Sequence, residues 1–185
     1  VTSLDGEPWE GPATRTWWGW DDEALYVAAD IIDADVWSTY EAQDDPLWKQ
    51  EVFEVFVFID DDGRDYLEYQ VSPRGVTFDA RFAVYRRGDE AWDSAWTTAV
   101  HVDGSVDTRA DTDAGWTAEI AIPWSEICDN TSLSCPPAAG RRLQVNAFRF
   151  ERPAEGATVA LALSPTRVPD FHAAKNAAML TLAGH

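Results

Sequence analysis

Trp48-Lys49-Gln50-Glu51-Val52-Phe53-Glu54-Val55-Phe56-Val57-Phe58-Ile59-Asp60-Asp61-Asp62-Gly63 leads an aromatic residue into a strand and the strand into an acidic turn. From Val52 to Ile59 every residue except Glu54 is apolar, and Phe and Val are the types that suit a pleated, largely buried surface. A lone carboxylate in such a run needs a reason. Either Glu54 points to a solvated face, or it sits beside Trp48 at the sheet end and accepts hydrogen bonds from a polar ligand. The second reading makes this a binding-site strand rather than a catalytic one.

Similar runs recur on both sides of this stretch. Ala24 to Ile32, Asp65 to Ser72, Val76 to Tyr85, Thr97 to Val102, Gly115 to Ile122, Leu143 to Phe150, Thr158 to Leu163 and Ala177 to Leu182 all read as short strands. Asp21-Asp22-Glu23, Asp60-Asp61-Asp62-Gly63, Pro73-Arg74-Gly75, Arg87-Gly88-Asp89 and Asp113-Ala114-Gly115 read as turns between them. Short strands without a long helix predict an all-β domain, an antiparallel β-sandwich of jelly-roll-like form with two packed sheets. Trp116, Ala118, Ile120 and Ile122 are expected to face the core, with Thr117, Glu119 and Ala121 outward. Ser125-Glu126-Ile127 reads as a single helical turn. The first twenty residues, rich in Trp, Gly and Pro, offer one short strand through Arg15 to Trp20, as if a leading strand were missing or supplied from elsewhere.

The 185 residues suffice for one domain with a substantial core. Fourteen Lys and Arg against 33 Asp and Glu leave a formal charge of −19, a field that repels nucleic acid and anionic membranes. No stretch approaches the roughly 20 apolar residues that span a bilayer, so membrane insertion is not expected. The chain starts at Val1 without a basic or apolar leader and reads as a mature or trimmed soluble piece. Cys128 and Cys135, the only cysteines, flank a polar loop and are expected to form a disulfide, which places the protein in the periplasm, at the cell surface or outside the cell. Two cysteines without neighbouring histidines do not make a zinc site.

Several segments together resemble family 9 carbohydrate-binding modules and the wider group of similar β-sandwiches, to which haem-binding electron-transfer domains are related. The resemblance rests on Trp20 to Ala29, Asp33 with Asp35, Trp48 through Phe58, Gly115 to Trp124, and Val145-Asn146-Ala147-Phe148-Arg149. It implies a non-catalytic domain that holds a poly- or oligosaccharide between two aromatic side chains, with polar groups addressing the hydroxyls. Trp48 matches the first aromatic and Glu54 a hydroxyl-binding carboxylate. Phe171, in Asp170-Phe171-His172, is the counterpart of the second aromatic. Gln70, a further expected ligand-binding residue, stands on the next strand where the pattern has Arg, and Phe148 where it has Gln, so a preference for cellulose-like reducing ends does not carry over. The chemistry agrees with a saccharide ligand, because a pyranose offers C–H-rich faces to flat rings and a rim of hydroxyls to polar groups. Ten Trp exceed what such a core requires. Trp20, Trp116 and Trp124 read as core or sheet-edge residues, with Trp37, Trp92 and Trp96 as secondary stacking candidates.

Three other chemistries compete with this one. Asp60, Asp62 and Asp65 around Gly63 have the spacing of a calcium loop but lack the bidentate Glu of an EF-hand. The resemblance adds an expectation of structural calcium at some acidic loop, Asp33 and Asp35 included. Glycoside hydrolysis needs two carboxylates about 5 to 9.5 Å apart, but no nucleophile, metalloprotease or phosphate-loop motif accompanies the acids, and a non-enzyme is expected. A haem-binding electron-transfer domain is the alternative, with His172 and Met179 as candidate axial ligands; a structural subunit of a surface assembly or part of a larger protein is another.

Overall fold

Strand β4 (Val52–Phe58) is buried at every position, which explains why its sequence runs apolar instead of alternating. One face meets a second sheet and the other is covered by loops. The computed structural model describes residues 1–59, 62–107, 110–129, 133–153 and 157–184. In chain order the remaining strands are β1 (Thr2–Ser3), β2 (Thr14–Trp20), β3 (Ala24–Ile32), β5 (Tyr66–Val71), β6 (Thr77–Val84), β7 (Arg87–Asp89), β8 (Thr97–Asp103), β9 (Gly115–Pro123), β10 (Arg142–Glu151), β11 (Val159–Ala162) and β12 (Ala178–Thr181). One five-residue helix, α1 (Trp124–Cys128), lies where the helical turn was expected.

All pairings are antiparallel. The larger sheet runs β1-β11-β10-β4-β5-β6-β7, with β12 also pairing β10, and the smaller runs β2-β3-β9-β8. β10 serves two partners on one edge, β12 along Arg142 to Val145 and β11 along Phe148 to Glu151. Between the sheets, Val55, Val57, Leu67, Tyr69, Val145 and Ala147 pack against Leu25, Val27, Ile120 and Ile122. Trp116 and Trp124 join this core, while Trp20 stands edge-on to Trp124 with centroids 6.4 Å apart. The outer face of the larger sheet carries a second, aromatic cluster that includes Phe56, Phe58, Tyr66, Phe82, Phe148 and Phe150.

Two local readings change. Arg87-Gly88-Asp89, expected as a turn, forms β7, because the chain reverses one step earlier at Arg86, whose φ is 57°. The weak N-terminal segment contributes β1, which pairs Thr2 with Ala162 and Ser3 with Leu161. Gly115 opens β9 at φ 141°, where a Cβ would lie 2.1 Å from the Ile31 carbonyl oxygen. Cys128 and Cys135 form the expected disulfide, with Cα atoms 6.0 Å apart. No helix among the described residues is long and apolar enough to cross a membrane.

Candidate functional site: an aromatic cleft with buried carboxylates

The outer face of the larger sheet opens into a cleft of about 470 Å³. Trp48 lines it from the short 3₁₀ turn Leu47–Lys49 just ahead of β4. That turn is tied down by Arg152, which donates Nη2 to the Trp48 carbonyl at 2.6 Å and Nε to the Gln50 carbonyl at 3.3 Å. The half-buried Trp48 indole stands edge-on to Phe78, with centroids 5.1 Å apart and planes at 72°.

Phe171 lines the same cleft from the loop between β11 and β12. It packs edge-on against Phe148 at 5.4 Å and Phe150 at 4.6 Å. Polar anchors on either side hold this loop. Asp170 accepts hydrogen bonds from Arg86 Nη1 at 2.7 Å, from the His172 N–H at 3.1 Å and from the Tyr85 hydroxyl. The Tyr66 hydroxyl accepts the Arg86 N–H and pairs with His172 Nδ1 at 2.8 Å. The His172 ring packs among Phe56, Tyr66 and Phe82, and burial lowers its pKa to about 4, so it is neutral at physiological pH.

Two carboxylates form the floor. β4 and β5 pair Glu54 with Gln70 and Phe56 with Glu68, so Glu54 and Glu68 are diagonal neighbours on one face. Glu54 is 2% exposed and Glu68 6%. Desolvation and then the neighbouring Glu68 raise Glu54 well above the carboxylate range, against the pull of Arg152. Desolvation raises Glu68 to about 7, against a hydrogen bond from Gln70 Nε2 to its Oε1 at 2.6 Å.

Trp48, Glu54 and Phe171 therefore share one cleft, whereas Gln70 does not line it. Gln70 is buried opposite Glu54 on the same face and donates its amide to Glu68, so it acts on the site through that carboxylate. Glu68, Arg152 and Phe78 were not singled out in the sequence. The signal for Glu68 was parity, since it alternates with Leu67 and Tyr69 onto the face that Glu54 occupies. Trp92 and Trp96 stand edge-on to Tyr69 at 6.1 and 5.2 Å, and the Trp37 indole donates to the Arg152 carbonyl at 2.7 Å. None of the three lines the cleft.

The calcium and haem expectations fare differently. Asp60 lies outside the described residues. Asp62 accepts the Arg64 N–H at 3.1 Å, and Asp65 forms an ion pair with Arg81. A guanidinium thus already faces the turn. Elsewhere, carboxylate oxygens of Asp33, Glu51 and Glu151 come within 4.8 Å of one another. Arg149 is bonded to Asp33 at 3.1 Å and to Glu151. Desolvation, with Asp33 alongside, raises Glu51 to about 10, so at neutral pH a proton and a guanidinium compensate this cluster. Asp33, Asp65 and Glu151 are thus held by arginines, which a calcium ion would have to displace. For haem, His172 lines the cleft but is held by Tyr66, and Met179 is 48% exposed on β12 and does not line it. The two candidate axial ligands face no common cavity.

Residues 7–160 match the family described as carbohydrate family 9 binding domain-like. No curated protein matches the chain. Among solved structures, a Bacteroides uniformis protein is similar at a TM-score of 0.72 and 15% identity, over 97% of this chain and 84% of that one. A family 9 carbohydrate-binding module from Caldicellulosiruptor kristjanssonii, solved with glucose, is similar at a TM-score of 0.62 and 18% identity, over 94% and 78%. A family 9 module from the same organism with cellotriose gives 0.64 and 17%, over 94% and 76%.

Proposed function

The chain belongs to the carbohydrate family 9 binding domain-like family, and from that premise we propose that its cleft holds a saccharide ring between Trp48 and Phe171, with the Glu54 carboxyl addressing a hydroxyl from below. The observation that carries this reading is convergence. Trp48, Glu54 and Phe171 come from a 3₁₀ turn, a strand and a distant loop, yet they line one cleft. Both aromatics are half-buried and braced edge-on by other rings, which leaves surface for a pyranose to stack on. The Caldicellulosiruptor modules solved with glucose and cellotriose share this fold and support the ligand class.

The domain acts without catalysis, capturing a sugar for a larger protein or assembly, and it works outside the cytosol, where the Cys128–Cys135 disulfide persists. Calorimetry over a glycan panel is the test. Trp48→Ala and Phe171→Ala should each weaken saccharide binding by about tenfold or more, as loss of a central aromatic anchor does. Wild-type affinity in the folded Trp48→Ala variant would move the site elsewhere. The absence of reducing-end release from bound oligosaccharides would support the non-catalytic role, and recovery of the oxidised protein in the secreted or periplasmic fraction the location.

A further inference from the structure

We propose that the ligand is an amino sugar, a saccharide whose free amine enters the cleft as an ammonium and seats over Glu54 and Glu68. The inference rests on the saccharide reading and adds the chemistry of one ring substituent.

The charges lining the cleft are Glu54, Glu68, Glu90 and Asp170 against Arg86 and Arg152. Arg86 is paired with Asp170 at 2.7 Å. Arg152 spends its nitrogens on the Trp48 and Gln50 carbonyls and, at 2.8 Å, on Thr158 Oγ1. Neither guanidinium is hydrogen-bonded to the floor. Glu68 accepts only from the Gln70 amide, and Glu54 makes no hydrogen bond among the described residues. A 2% exposed carboxyl that lines a cavity and meets no donor keeps its proton while the cleft is empty and ionises when a cation pairs with it, because a buried charge is tolerated only when paired and hydrogen-bonded.

A neutral hydroxyl meets that demand with one donor and no charge. An ammonium brings three donors and a full opposite charge, and its bonds to carboxylate are about twice as strong as neutral ones. The walls favour it as well. Trp48, Phe56, Phe78, Phe82, Phe150 and Phe171 line the cleft with aromatic rings, and a desolvated cation is attracted by any ring face it meets there. An acidic floor within an aromatic cage suits an ammonium attached to a ring that can stack, and that combination is an amino sugar. An N-acetylated amine loses the charge and keeps a single N–H donor, so it gives the carboxylates no counter-ion.

Matched sets of hexose, hexosamine and N-acetylhexosamine in the gluco, galacto and manno configurations, with β-1,4 oligomers of the gluco series, test this by calorimetry. In at least one configuration the hexosamine should bind about tenfold or more tightly than its hexose. Glu54→Gln and Glu68→Gln keep the side-chain volume and remove the charge, and each should narrow that preference to about threefold or less while hexose binding persists. Trp17→Ala, on the exposed face of the smaller sheet, should leave the preference unchanged.

Proton release gives a second readout. Glu54 and Glu68 are raised by burial in the free protein, so seating an ammonium ionises them. Calorimetry in buffers of different ionisation heat should show protons released with hexosamines and not with hexoses. The other charged or titratable groups facing them are Glu90, the Arg86–Asp170 pair, Arg152 and His172, which stays neutral between pH 5 and 8. Hexosamine affinity should therefore rise between pH 5 and 7, as Glu68 gives up its proton.

Hexoses binding as well as or better than hexosamines in every configuration would overturn the proposal while the saccharide reading stands. Choline or methylamine binding as tightly as the hexosamines would overturn it by making the amine alone the ligand. No sugar of any kind binding would remove the saccharide reading and this inference with it.

Discussion

Trp48, just ahead of β4, and Arg149, paired with Phe53 of β4, take opposite roles. Trp48 is half-buried at the mouth of the cleft and braced by one edge-on contact to Phe78. Its truncation to Ala should cost no more than about 1–2 kcal/mol of stability, since an open site leaves little cavity, while saccharide binding falls away. Paired urea melts and calorimetry would separate the two effects. Arg149 is 2% exposed and reaches Asp33, Glu151 and the Ile32 carbonyl, the last at 2.9 Å. Arg149→Met should cost about 3–5 kcal/mol in the same melts, because it strands buried carboxylates without their partner. Glu54 was legible as an anomaly, a single charge in an apolar run. Its partnership with Glu68 was not, because register decides which residues of neighbouring strands share a face.

At the scale of elements, alternation placed the strands and turn residues placed most of their ends. β3 matches its expected span, Ala24 to Ile32, and the other expected strands shift at one or both ends by a residue, because the pairing of neighbouring strands sets where each ladder stops. β7 escaped because Arg87-Gly88-Asp89 has turn chemistry, and only pairing to β6 makes it a strand. Gly115 is a sharper constraint. An added Cβ would lie 2.1 Å from the Ile31 carbonyl at a φ that L-residues rarely adopt, so Gly115→Ala should cost at least about 2 kcal/mol in a denaturant melt. The turn after β4 carries its own test. With Arg81 paired to Asp65, millimolar calcium should leave the melting temperature where a chelator leaves it. A rise would mean that an ion binds the native state and stabilises it by mass action.

For the whole molecule, the buried acids set the pH dependence. Desolvation raises Asp79 to about 6, Glu68 and Glu151 to about 7 and Glu51 to about 10, and it raises Glu54 as well. Each folded value lies above its unfolded one, so the stability each contributes is complete below about pH 4 and is lost as pH rises through the folded value. His172 runs the other way. Its value is lowered to about 4, so its contribution is present above about pH 6.5 and is lost as pH falls through 4. The acids outnumber it, and the net charge of −19 adds repulsion at higher pH. The melting temperature should therefore be highest near about pH 4 and decline toward pH 8, which a calorimetric series would read directly. Composition, alternation and turn chemistry act locally along the chain, so the all-β class, most strands, the disulfide and the oddity of Glu54 were legible from the sequence alone. What covers the outer face of the larger sheet was not. The pairing of Glu54 with Glu68, the burial of Gln70 beneath the cleft, the commitment of Arg81 and Arg149 to acidic clusters and the tie from Arg152 to the Trp48 turn depend on segments far apart in sequence. Only register and loop packing bring those segments together, and neither leaves a periodic trace in the chain.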